Sequence, residues 1–124
     1  MIRWFNEKER DGSASLYSTN LTLNSTAAIP FENAYRVMVG VDGRDLVLRP
    51  LEKALVDRGT FDSATLYPIV SHKSYARISS TSLMSMVSDA LGVHLTSQPT
   101  RFVARWDEDN GFLRIVGAVK QEAI

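Results

Sequence analysis

The residues best spaced for shared chemistry are cations. Lys73 and Arg77 lie four positions apart in one β-like stretch, and Arg101 and Arg105 lie four apart in another. Side chains alternate across a strand, so an even separation puts both members of a pair on one face. If the two strands sit side by side, all four cations line one surface, with His72 and Tyr75 close by. Arg36 opens a further β-like run, R-V-M-V-G-V. Guanidinium and ammonium groups in such a row suit phosphate oxygens, each contact positioning a nucleic-acid backbone and adding salt dependence. The competing reading of the same residues is a solvated face neutralised by Asp107, Glu108 and Asp109.

Other constellations carry less. His72 and His94 are the only histidines, and a zinc site needs three or four ligands at suitable spacing. Serine is dense between positions 71 and 88, but no G-x-S-x-G elbow occurs and no base is positioned by the sequence, so these serines read as caps and polar helix positions. Gly40-Val41-Asp42-Gly43 lacks the glycine pattern of a phosphate loop, and Asp107-Glu108-Asp109 lacks the later ligands of a calcium loop. The absence of cysteine removes disulfides and thiolate metal sites together. The expectation is a chain with no cofactor, no metal, no small-molecule substrate and no catalytic activity.

Composition sets the frame. A chain of 124 residues with 44% hydrophobic content suits one domain with its own core, spanning 1–124. Fourteen basic and fourteen acidic side chains cancel, which weighs against strong non-specific attraction to a polyanion but leaves room for a local basic face. The first twelve residues are too charged for a signal peptide, and no apolar run approaches the ~20 residues that span a bilayer. A cytoplasmic location away from membranes is expected. Trp4 and Phe5 in this N-terminal arm, like Met84 and Met86 further on, read as core or interface positions.

The elements that must position these residues read as follows. Ser15–Leu23 is a strand, and Asn24-Ser25-Thr26 suits a helix cap. Pro30 leaves two choices: a helix starting at Asn24 with Pro30 in a bent turn, or a helix running from Pro30. Proline's preference for the first helical turn favours the second. Two apolar runs then flank Asp42-Gly43, a strong hairpin signal, and Pro50 ends the second run. Leu51, Leu55 and Val56 support one or two helical turns before Gly59. In the second half, S-Y-A-R-I is a strand and Ser79-Ser80-Thr81 a cap. Leu83, Val87 and Leu91, or Met86 and Ala90, keep helical spacing up to Gly92, and R-F-V-A-R-W and F-L-R-I-V form a hairpin closed by Asn110-Gly111. Trp106 and Phe112 are expected to touch across it.

The order strand, helix, hairpin thus occurs twice. A shift of 55 residues lays Leu23-Asn24-Ser25-Thr26 over Ile78-Ser79-Ser80-Thr81, and Leu46–Leu48 corresponds to Leu113–Ile115. Half-unit one covers about 15–51, a connector 52–66, and half-unit two about 67–116. Each unit is too small to close a core alone, so the two are expected to pair about a pseudo-twofold axis.

Arg77-Ile78-Ser79-Ser80, Ala90-Leu91-Gly92-Val93 and Leu113-Arg114-Ile115 in the second half, with Ile29-Pro30, Val39-Gly40-Val41 and Leu46-Val47-Leu48-Arg49-Pro50 in the first, follow a known pattern. The order resembles the swapped-hairpin regulators of the AbrB and SpoVT type, and especially the MraZ family, with two such units in one chain. The resemblance implies an α+β, β-rich swapped-hairpin barrel. It also implies a DNA-binding transcription regulator, a homo-oligomer contacting double-stranded DNA, with Lys73, Arg77, Arg101, Arg105 and Arg36 as the candidate contacts. Leu21-Thr22-Leu23-Asn24 departs from the family in carrying no cation before the helix, and neither half has a D-x-K-G-R-like strand. These departures motivate an alternative: a protein-interaction or assembly module of the same fold that has lost DNA binding.

Overall fold

The structure, a computed structural model, describes residues 1–2, 4 and 11–119. Its strands are β1 (Gly12–Leu16), β2 (Asn20–Asn24), β3 (Arg36–Asp42), β4 (Asp45–Leu51), β5 (Tyr67–Pro68), β6 (Val70–Ser71), β7 (Tyr75–Ser79), β8 (Thr100–Asp107) and β9 (Phe112–Ile115). Three helices, α1 (Ser25–Ala28), α2 (Lys53–Asp57) and α3 (Thr81–Leu91), lie between them.

The strands form one antiparallel sheet in the order β5-β3-β4-β9-β8-β1-β2-β7-β6. Only Ile69 separates β5 from β6. The short segment 67–71 therefore pairs with β3 at one end of the sheet and with β7 at the other, bringing the sheet round into a nearly closed barrel. Alternate residues point inward. Ala14, Leu16, Leu21, Leu23, Leu46, Leu48, Ala76, Ile78, Leu113 and Ile115 are buried there, and Phe31, Leu83, Met84, Val87 and Leu91 from the helical segments join the same core. Each fully buried aliphatic or aromatic side chain contributes about 1.5–3 kcal/mol relative to exposure.

The stretch read as one strand, Ser15–Leu23, is two. Tyr17 N–H donates to Asn20 O at 2.8 Å, closing a turn between β1 and β2. The inward positions change parity across it, from Ala14 and Leu16 to Leu21 and Leu23, and β1 and β2 pair antiparallel. The first helix also differs from expectation. It starts directly after Asn24, whose side chain accepts from Ala27 N–H, and Pro30 sits in the 3₁₀ turn Ile29–Phe31 that follows. The cap outweighs the proline, because proline is accommodated in the first positions of a new 3₁₀ turn.

The other local signals match the chain's course. Gly43 has φ 61° in the two-residue turn joining β3 and β4, a type II′ arrangement. Ser80 Oγ accepts from Leu83 N–H at 3.1 Å to start α3, and Gly92 in the left-handed region ends it. The β8–β9 turn pairs Asp107 with Phe112 and Trp106 with Leu113, so Trp106 and Phe112 take opposite faces and do not meet as expected. Phe112 instead lies beneath the Arg49 and Arg114 guanidinium groups, 5.4 and 5.0 Å from their carbons. Met84 is buried in the core, whereas Met86 is 55% exposed and Trp4 79% exposed, so neither is a core position; Phe5 lies outside the described residues.

Candidate nucleic-acid interface

The barrel separates charge by strand. No Asp or Glu occurs between Asp11 and Glu32, between Asp62 and Asp89, or between Asp89 and Asp107. Strands β1, β2, β6 and β7, and β8 up to its last residue, are therefore free of acidic side chains. Acid collects instead at the hairpin tips, with Asp42 and Asp45 at one and Asp107, Glu108 and Asp109 at the other.

Within the acid-free face, register aligns the cations. Arg101 on β8 stands opposite Ser15 on β1, Ser15 opposite Thr22 on β2, Thr22 opposite Arg77 on β7, and Arg77 opposite Val70 on β6. Directly opposed residues share a face, and their chain neighbours Ala14, Leu16, Leu21, Leu23, Ala76 and Ile78 are buried, so this row points outward. Arg77 and Arg101 are both exposed. Three inter-strand steps of about 4.8 Å separate them, roughly 14 Å, with two small hydroxyl residues between. The two cation-bearing strands are thus not side by side, as the four-cation surface required. β1 and β2 intervene, because each pairs with one of them.

The other candidates lie around this row. Arg105 shares the outward face of β8 but is held by Asp11 through two charge-assisted bonds, Nε to Oδ1 at 3.0 Å and Nη2 to Oδ2 at 2.8 Å. The Arg105 hydrogen bond keeps the Asp11 carboxyl below its ordinary range. The expected neutralising partners of Arg105, Asp107 to Asp109, are not the ones it uses. Lys73 is exposed in the turn between β6 and β7, where His72 N–H donates to Tyr75 O at 2.8 Å. Arg77 lies over Tyr75, 5.2 Å from the ring centre, and His72 stacks on the same ring at 4.7 Å. Arg36, at the start of β3, is folded back on Tyr35, its guanidinium carbon 4.1 Å from the ring and one Nη donating to Tyr35 O at 2.8 Å. Opposite Pro68 rather than β7, it flanks the row rather than joining it.

Sequence reasoning missed Ser15 and Thr22, which make the floor between the two arginines, and Asp11, which occupies Arg105. The acid-free stretches were visible as a signal. What was missing was the strand order that brings them to one face.

At the acidic tips, Arg114 donates to Asp107 at 2.8 Å, Asp45 at 3.1 Å and Asp42 at 2.8 Å. Its guanidinium is held even more firmly in the charged form, first by Asp42 and Asp107. Hydrogen bonds from Asn110 and then Arg114 lower the Asp107 carboxyl. This clamp ties both hairpin tips together and occupies three of the five N–H donors of Arg114. Among the described residues, no group of three His, Cys, Asp or Glu side chains is arranged to hold a metal ion, and no helix is long and apolar enough to cross a membrane. Comparison of the chain with protein-family models, with curated proteins and with solved structures gave no match.

Proposed function

We propose that the chain is a two-unit swapped-hairpin barrel of the AbrB, SpoVT and MraZ kind, acting without catalysis as a DNA-binding transcription regulator in the cytoplasm. The observation that carries the DNA reading is the row Arg77–Thr22–Ser15–Arg101 across β7, β2, β1 and β8, strands that hold no acidic residue before Asp107. A net charge of zero is no obstacle when acid gathers at the hairpin tips and the row between Arg77 and Arg101 carries none, since a phosphate backbone responds to local potential. Arg77 and Arg101 are the primary contacts. Lys73 and Arg36 extend the face, and Arg105 contributes when it leaves Asp11.

The two-unit reading is supported by register. Ser15↔Thr22 recurs as Val70↔Arg77, each residue 55 positions on. Arg36↔Pro68 recurs as Val103↔Ser13, with 67 positions between the hairpin residues and 55 between the others. The central pairs Thr22↔Arg77 and Val47↔Arg114 join equivalent residues to each other, as a twofold axis demands. The β3–β4 hairpin lies between β5 and β9, and the β8–β9 hairpin between β4 and β1, so each is flanked by strands of the other half.

The test is fluorescence anisotropy with duplexes tiling the region upstream of the protein's own gene, at low and near-physiological salt. Saturable binding that favours one tile at both salts is the expected result. No binding at either salt would remove the DNA reading and leave a protein-interaction module, which predicts a stable homo-oligomer or a co-purifying partner.

A further inference from the structure

At one end of the cationic face, the turn between β6 and β7 and the first helical segment enclose a groove of about 510 Å³, lined by Ser25, Ile29, Glu32, Ser71, His72 and Lys73. It is the right size for a nucleotide and too small for a folded partner, since ligand sites run to about 300–1,000 Å³. One wall carries His72, whose ring meets Tyr75 at 4.7 Å between centres with the planes tilted by 37°. Arg77 covers Tyr75 in turn, so Tyr75 links the groove's His72 to the Arg77 of the phosphate row. Asn24 pairs with Tyr75, which fixes the start of α1, and so Ser25, against the same turn.

The polar groups suit one ligand class. Two hydroxyls, Ser25 and Ser71, can donate or accept; Lys73 offers a cation for a phosphate; Glu32 offers a carboxylate that accepts from an exocyclic amino group. Ile29, 66% exposed, supplies apolar surface beside the His72 ring. A heteroaromatic ring with an amino group, attached to a phosphate, uses all of them. Bases in an intact duplex present only their edges, so a base that stacks in this groove must be unpaired.

We propose that this groove takes one unpaired nucleotide of a bound DNA strand, stacked on His72 with its amino edge at Glu32 and its phosphate at Lys73. This rests on the DNA reading of the adjacent face and narrows its ligand to DNA with a bulged or extruded base. Binding is strongest where Arg77 and Arg101 hold the backbone and a neighbouring base is free to enter.

The experiment compares a fully paired duplex with the same duplex carrying a single bulged 2-aminopurine, by anisotropy, for wild type, His72→Ala and Glu32→Gln. Wild type should bind the bulged duplex about tenfold more tightly, in line with the worth of one base–aromatic stack. It should also shield the bulged base from acrylamide quenching. His72→Ala should erase both effects and leave paired-duplex affinity unchanged, and Glu32→Gln should weaken only the bulged complex. Equal affinities for the two duplexes in wild type, or a preference that survives His72→Ala, would overturn the groove assignment while leaving the cationic face intact. Failure to bind either duplex would overturn both.

Discussion

Gly12 stands where β1 passes against α1, and the space there is already full. A Cβ built on Gly12 would meet Ala27 N at 2.6 Å, Ala27 Cβ at 2.7 Å and Ala27 Cα at 2.9 Å. Two of these atoms are backbone, so no side-chain rotation relieves the contact, and α1 must move away from β1. The obstacle to that movement is Asn24, whose Oδ1 accepts from Ser13 N–H and Ala27 N–H, both at 3.0 Å, and so ties strand and helix together. Overpacking of this kind costs about 1–3 kcal/mol, and a backbone neighbour puts Gly12→Ala at the upper end, about 3 kcal/mol. For a chain of this length each kcal/mol lowers Tm by about 4 °C, so the expected loss is about 12 °C in a calorimetric melt. Gly40→Ala is the matched control: it also lies in a strand, yet its Cβ would meet only Val47 Cγ2 at 3.8 Å. That variant should melt within about 2 °C of wild type. A Gly12→Ala protein that melts as wild type does would show that α1 is not seated on β1 as described.

Asn24→Ala removes the one acceptor shared by Ser13 and Ala27 and should lower stability by about 1–2 kcal/mol, with Asn24→Asp retaining most of it; an unchanged melt would refute the double capping role. Acid should destabilise the fold in a defined direction. Asp11 and Asp107 are held below the ordinary carboxylate value of 3.8, so their contribution is complete above that value and is lost as pH falls through the lower, folded-state values. Tm should be flat down to about pH 5 and fall below about pH 4, with a shallower fall in Asp107→Asn; an identical acid limb in that variant would discount the tip clamp.

Much of this architecture was legible residue by residue. Asp42-Gly43 and Asn110-Gly111 marked both hairpins because a tight reversal needs positive φ, and Gly43 and Gly111 supply it at 61° and 71°. Ser80 and Gly92 bracketed α3 because their capping chemistry is local. The β1–β2 reversal was missed although Leu16 and Leu21 betray it by parity, since a run of β-forming residues hides a turn made of Ser18 and Thr19. Of the two starts that Pro30 leaves open for α1, proline's preference favours the wrong one, because Asn24's second partner on β1 is a contact eleven residues away that no local rule contains. The candidate site suffered most. Even spacing placed Arg101 and Arg105 on one face of β8, but Lys73 falls in the turn before β7 rather than on the strand that carries Arg77, and which strands stand between the two pairs is a matter of long-range pairing. So is the loss of Arg105 to Asp11, a partner 94 residues distant.

The salt dependence of duplex binding by wild type and by Arg77→Ala/Arg101→Ala tests the central claim most directly. Each phosphate contact contributes about 0.9 to the slope of log K against log salt, so the double variant should show a slope shallower by about 2, with an unchanged melting temperature. A slope identical to wild type would contradict the account, because the duplex would then be held by some other face of the barrel.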